Sequence, residues 1–199
     1  MRLKNKTVVI TGAASGIGFA IASIFIQEGA NLLLIDKQPM SKVELAETKY
    51  SQQFIEIFQM DIGNEKEWCE FVNQLLFKKI FKIDVLINNA GLAIEGNAED
   101  IQEENLDIEI NVNLKGPIFG TKHMLPLFGD RGSIINISSI EGIVGNADYL
   151  AYCATKGAVR NLTKSTALYL GRALLHKGFK GKVLLGASNL SDNLSMRSA

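Results

Sequence analysis

Short apolar runs of strand length alternate with longer helical patterns along this chain. Thr7–Thr11 (TVVIT) is rich in β-branched residues, and a helical apolar pattern follows over residues 16–29, with Gly29 placed to stop it. Residues 31–35 (NLLLI) form the next apolar run, and further strands are expected at residues 54–59, 84–87 and 133–137 (SIINI). A long helical region is expected over residues 103–128, where Pro117 and Pro126 should mark a kink and an end. Trp68, Phe71, Phe77 and Phe81 recur at helical spacing and are expected to form a core stripe. Strands that stay apolar along their length, separated by helices, need cover on both faces. The pattern therefore predicts a single α/β domain with a doubly wound parallel sheet.

The connections carry the chemistry. Between the first strand and its helix stands Gly12-Ala13-Ala14-Ser15-Gly16-Ile17-Gly18, whose glycines let backbone approach a pyrophosphate while the helix start offers free N–H groups. Asp36 closes the second strand about twenty residues on, where a carboxylate can accept from both hydroxyls of an adenosine ribose. Downstream, Ser139 precedes Tyr152 and Lys156. A phenol with a pKa near ~10 becomes a usable base only beside positive charge, and a lysine four residues on along a helix supplies it. In an open parallel sheet, ligands bind beyond the carboxyl ends of the strands where strand order reverses, and Asp36, Asp61, Asn88 and Ser139 all fall at such ends.

With those residues in place, the chain resembles the short-chain dehydrogenase/reductase family from about Lys4 to about Lys180. TGAASGIG is similar to that family's cofactor loop, and Asn88-Asn89-Ala90-Gly91 to its NNAG motif. Asp61-Ile62 stands where the family places an acid and an apolar residue against adenine, and Asn113 where it has a catalytic asparagine. The resemblance implies a Rossmann-type fold and a catalytic set of Asn113, Ser139, Tyr152 and Lys156. It implies a cofactor set of Gly12, Ser15, Gly16, Ile17, Gly18, Asp36, Asp61, Ile62, Asn88, Ala90 and Gly91, joined by Tyr152 and Lys156. NAD is the expected cofactor, because Asp36 would repel a 2′-phosphate and Ala14 and Ser15 stand where a basic residue could bind one. The implied substrate is a small alcohol or ketone. The implied assembly is a homodimer through the helix carrying Tyr152 and the one after the fourth strand.

Composition narrows the partners. The 199 residues hold 21 basic and 21 acidic side chains, so no net field attracts nucleic acid or an anionic membrane. No apolar run reaches the ~18 residues of a membrane span, and a cytoplasmic protein is expected. Cys69 and Cys153 lie far apart without metal-ligand spacing to His123 or His176, so no metal is expected and both are read as reduced, mostly buried thiols.

After Lys180 the pattern departs from the family. Residues 181–185 (GKVLL) offer at most a strand stub, the Pro-Gly of the family's sixth strand is missing, and a polar stretch follows. A frame change or premature end near Gly181 is expected, with residues 1–180 as the catalytic domain, the last strand or strands missing, and residues 181–199 as an atypical, disordered tail. Two functions stay open: an active NAD-dependent alcohol dehydrogenase or ketone reductase, and an inactive truncated remnant that keeps weak nucleotide binding or dimerisation.

Overall fold

The computed structural model describes residues 1–41, 53–177 and 180–188. Strands Thr7–Thr11 (β1), Asn31–Asp36 (β2), Ile55–Gln59 (β3), Ile83–Asn88 (β4), Phe128–Ser139 (β5) and Lys180–Ser188 (β6) form one six-stranded sheet in the order β3-β2-β1-β4-β5-β6. Every neighbouring pair is parallel. Sequence order runs outward from β1 to β3 and then crosses back to β4, so the reversal lies between β1 and β4. Successive strand side chains point to opposite faces. Val9, Leu33 and Leu86 accordingly meet Trp68, Phe71 and Leu75 on one side, while Val8, Ile10 and Leu34 meet Ala22 and Ile26 on the other.

Helix α1 (Gly16–Gln27) ends at Gly29, whose φ of 92° is the left-handed conformation that lets the chain turn into β2. Helix α2 (Glu65–Phe77) starts at Asn64, whose side chain accepts from the Lys66 N–H, and carries Glu65 and Glu67 in its first turn. Its buried face is Trp68, Phe71 and Leu75. The expected aromatic stripe is therefore only half correct: Phe77 is 89% and Phe81 64% exposed. At about 100° per residue, Phe77 sits on the far side of α2 from Trp68, and Phe81 lies beyond the helix end. The same rotation corrects the reading of Cys69, which adjoins Trp68 but is exposed, whereas Cys153 is partly buried.

The expected long helix is divided into α3 (Glu103–Glu109), a π-helical segment (Ile110–Lys115), α4 (Gly116–Met124) and a 3-10 turn (Leu125–Leu127). Pro117 stands where the π segment runs without a break into α4, so its missing N–H interrupts the helical ladder at that junction, and Pro126 lies in the 3-10 turn. Helix α5 (Leu150–Lys177) then leads to β6. That strand corrects the reading of residues 181–188 as stub and tail. It is nine residues long and pairs with β5 from Arg131 opposite Lys180 to Ser139 opposite Ser188. Residues 180–188 satisfy the backbone edge that β5 would otherwise leave open. The rest of the expected tail lies outside the described residues. No helix among those described is long and apolar enough to cross a membrane.

Candidate functional site

The site opens at the reversal of strand order, where the ends of β1 and β4 diverge. Gly12 has φ of 66°, and a Cβ there would lie 2.7 Å from the Ala90 Cα. Gly18 sits even closer, since its Cβ would fall 2.0 Å from the Gly12 carbonyl oxygen. Any side chain at either position would push the two loops apart. Asn89 ties them together by donating its Nδ2 to the carbonyls of Thr11 and Gly12 at 3.0 and 3.1 Å. The Thr11 hydroxyl oxygen accepts from the N–H groups of Asn89 and Ala90. Ser15, the residue before α1, makes no side-chain cap, and the first turn holds no acid. The N–H groups and positive end of α1 are thus left for an anion.

A cavity of about 320 Å³ runs along these strand ends. Every residue of the expected cofactor set lines it except Gly18 and Asn88. Gly18 acts one layer behind, by letting α1 pack on Gly12. Asn88 is buried beneath the groove, where its Nδ2 donates to Asn136 Oδ1 at 2.8 Å; Asn136 in turn donates to the Thr163 hydroxyl. The second asparagine of the motif, Asn89, does line the groove, and it was missed along with Thr11. The signal was the pairing of a strand-ending threonine with the asparagine run.

At one end of the groove Asp36 is fixed through both oxygens, accepting from the Ala14 and Gln38 N–H groups at 2.9 Å each. Beside it, Lys37 pairs with Asp61 at 2.9 Å. Partial burial pushes the Asp61 carboxyl up, but the bonds from Lys37 and from the Gly63 amide outweigh it, and the group sits below the usual carboxylate range. Ile62 is held by close packing, because a Cβ on Gly116 would lie 2.4 Å from its Cδ1.

At the other end, Tyr152 and Lys156 stand one turn apart on α5 and are 1% and 4% exposed. The lysine Nζ lies 5.5 Å from the centroid of the tyrosine ring and donates to the Ile137 carbonyl at 3.0 Å. Burial pushes the ammonium down to about 8, against an opposing pull from the Glu109 charge. Gly91 is the near wall: a Cβ there would come within 3.0 Å of Lys156 Nζ and 3.2 Å of Asn113 Oδ1.

Asn113 belongs to the π segment and grips the loop after Gly91 from both sides. Its Oδ1 accepts from Leu92 N–H at 2.9 Å, and its Nδ2 donates to Leu92 O at 2.8 Å and to the Thr155 hydroxyl at 3.2 Å. Single π turns inside helices recur at functional sites. Ser139 ends β5 and is buried, and the turn after it lies against α5, since a Cβ on Gly142 would be 2.8 Å from the Lys156 carbonyl oxygen. Its hydroxyl donates to a carboxylate oxygen of half-buried Glu141. Neither Ser139 nor Asn113 lines the groove itself; Asn113 stands behind the wall made by Gly91 and Leu92. Glu141 and the buried Glu109 were also missed, because an isolated acid normally faces solvent.

These features fit a nicotinamide dinucleotide. A side-chain-free turn and open helix end suit a pyrophosphate, a fixed carboxylate suits a ribose diol, and a buried phenol with a neighbouring ammonium suits proton transfer at the far end. Comparison with known proteins agrees. The short chain dehydrogenase family model matches residues 6–173. The NADP-dependent (R)-specific alcohol dehydrogenase of Lentilactobacillus kefiri is 36% identical over 171 residues, which cover 84% of this chain and 67% of that protein. The meso-2,3-butanediol dehydrogenase of Serratia marcescens is also 36% identical over 171 residues, covering 84% of this chain and 66% of its own length. A crystal structure of levodione reductase superposes with a TM-score of 0.79 at 29% identity, covering 86% of this chain and 68% of that one. The chain thus spans about two thirds of the length of the relatives it matches. Since the family match takes in the glycine turn, Asp36 and the Tyr152–Lys156 turn alike, the chain belongs to the short-chain dehydrogenase family.

Proposed function

We propose that the chain is an oxidoreductase that transfers hydride between NAD(H) and a small secondary alcohol or ketone. The observation that carries this reading is the burial of Tyr152 and Lys156 together at the end of a groove whose other end holds Asp36. The nicotinamide ring, when bound, supplies or takes the hydride. Tyr152 gives its proton to the substrate oxygen in reduction and removes it in oxidation. Lys156 stabilises the phenolate form and reaches toward the ribose; with its proton affinity lowered by burial, it can also pass a proton on near neutral pH. Ser139 donates to the reacting oxygen once its hydroxyl leaves Glu141. Asn113 holds the loop at Leu92, and with it the Gly91 wall, in register with Lys156.

Asp36 supports NAD over NADP. Both its oxygens are fixed by backbone N–H groups, so it cannot swing away from a 2′-phosphate, and the adjacent cation, Lys37, is engaged by Asp61. A homodimer through α5 and the α3–α4 region is proposed with it. A second reading, a chain that binds nucleotide without turnover, is favoured by one contact: the Ser139 hydroxyl is already given to Glu141. NADH titration by fluorescence, followed by NADH oxidation with a panel of small ketones, separates the two. Binding with turnover supports the oxidoreductase, binding without turnover supports the second reading, and absence of binding refutes both.

A further inference from the structure

Glu109, the last residue of α3, is completely buried although its neighbours Asp107 and Ile108 face solvent. Acids are almost never fully buried unless something pairs with them. One carboxylate oxygen accepts from the Ile94 N–H, in the loop that continues from Gly91. The other, Oε2, is buried with no hydrogen-bond partner among the described residues. The groups that could answer its charge are few. On α3 itself Glu103, Glu104 and Asp107 are exposed, and so is Glu95 of the facing loop. From α5 the charge that bears on it is Lys156. Asn113, one turn on from Glu109, bonds Thr155 beside the lysine, and Gly91, in the loop that Glu109 holds at Ile94, would bring a Cβ within 3.0 Å of Lys156 Nζ, while no direct hydrogen bond joins the two charges.

A buried polar oxygen left over by the protein is ordinarily met by water, and a water between Oε2 and the lysine would leave neither charge uncompensated. Burial pushes the Glu109 carboxyl up, and burial pushes Lys156 down. Each charge opposes that shift in the other, so the two favour one another's charged forms.

Resting on the oxidoreductase reading above, we infer that Glu109 is a positioning residue for proton transfer: it is the buried counter-charge of Lys156 and, through Ile94, the anchor of the loop that walls the reacting end of the groove. It does not touch substrate, and it acts through the lysine. A purely structural role, holding the Ile94 N–H alone, is the competing explanation, and Glu109→Gln separates the two because a glutamine keeps the accepting oxygen and removes the charge.

The test follows the Lys156 Nζ by nitrogen-15 NMR in protein carrying labelled lysine, its resonance assigned by its loss in Lys156→Met. In Glu109→Gln the Nζ titration midpoint should fall by about one pH unit, the size expected for losing an opposite charge nearby. At pH near ~8 the charged fraction of Lys156, and kcat with it, should fall roughly fivefold, with KM for the ketone little changed. The reciprocal measurement uses carbon-13 on the Glu109 carboxyl. Its midpoint should rise in Lys156→Met, because coupled groups shift each other, and this arm decides the matter if Glu109→Gln does not fold. An unchanged Nζ midpoint in Glu109→Gln, or an unchanged carboxyl midpoint in Lys156→Met, overturns the inference. Shifted midpoints in a chain that turns over no ketone would leave the pairing standing and count against the oxidoreductase reading instead.

Discussion

Replacing Lys156 by methionine should make the folded chain more stable while ending its chemistry. The buried ammonium has its pKa lowered from 10.5 to about 8. At about 1.4 kcal/mol per unit of pKa, the fold gives up about 3 kcal/mol to keep this lysine charged below pH 8. Methionine fills similar volume without charge but loses the bond to the Ile137 carbonyl, a loss of about 1 kcal/mol. The expected net gain at neutral pH is therefore about 2 kcal/mol. Its pH dependence is the sharper signature. Between about pH 8 and 10.5 the unfolded chain holds a proton on this lysine that the folded chain has lost, so wild-type stability rises with pH by about 3 kcal/mol relative to the variant. Above that window the wild type should be the more stable, by about the 1 kcal/mol of the hydrogen bond. Urea unfolding of both proteins at several pH values, with equal m-values, measures the difference directly. A variant less stable at neutral pH, or a difference that does not change through this window, would refute the assignment of Lys156 as a lysine kept at a cost to stability.

Three other outcomes are expected. Tyr152→Phe should abolish ketone reduction while leaving NADH affinity within about twofold by fluorescence titration, since it removes a proton donor and little contact area; equal loss of affinity and turnover would contradict its role. Asp36→Asn should narrow the preference for NAD over NADP by about tenfold or more, read by calorimetry with both cofactors, because a charge facing the 2′-phosphate is gone; an unaltered ratio would remove Asp36 from cofactor choice. Light scattering should give a dimer, and substitution of Leu168, 70% exposed on α5, by glutamate should give monomers; a wild-type monomer would end the dimer proposal.

The site was more legible than its surroundings. Strand β1, the glycine turn and Asp36 follow from a β-branched run, a turn that only glycine can make and an acid at a strand end, all local properties. Tyr152 and Lys156 stand out by helical spacing, which counts only in the company of Ser139, the glycine turn and Asp36. What stayed hidden depends on rotation and on distant partners. Phe77 reads like Phe71, and only the phase of α2 against the sheet sends one to solvent and the other to the core. Residues 181–185 read as a stub, and 186–188 as tail, because the strand over 180–188 is made by β5 beside it and not by its own pattern. Asn88 sits in a motif that suggests the groove, yet its partner is Asn136, 48 residues away on the next strand. Glu109 and Glu141 gave no local signal at all.

The π segment Ile110–Lys115 means that this part of the fold counts residues. A helix that accommodates one residue beyond its regular winding has a residue to lose. Deleting Ile110, Asn111 or Val112 takes one residue from between Glu109 and Asn113, and the wide winding must then close to the ordinary one for the two to keep a shared face. Glu109 and Asn113, which hold the loop after Gly91 at Ile94 and Leu92, stay together across such a cut only by giving up the π turn itself. The extra residue is therefore a reserve of length: a single-codon deletion between residues 109 and 113 should leave an ordinary helix, whereas a deletion in the regular turns of α4 has no such slack to draw on.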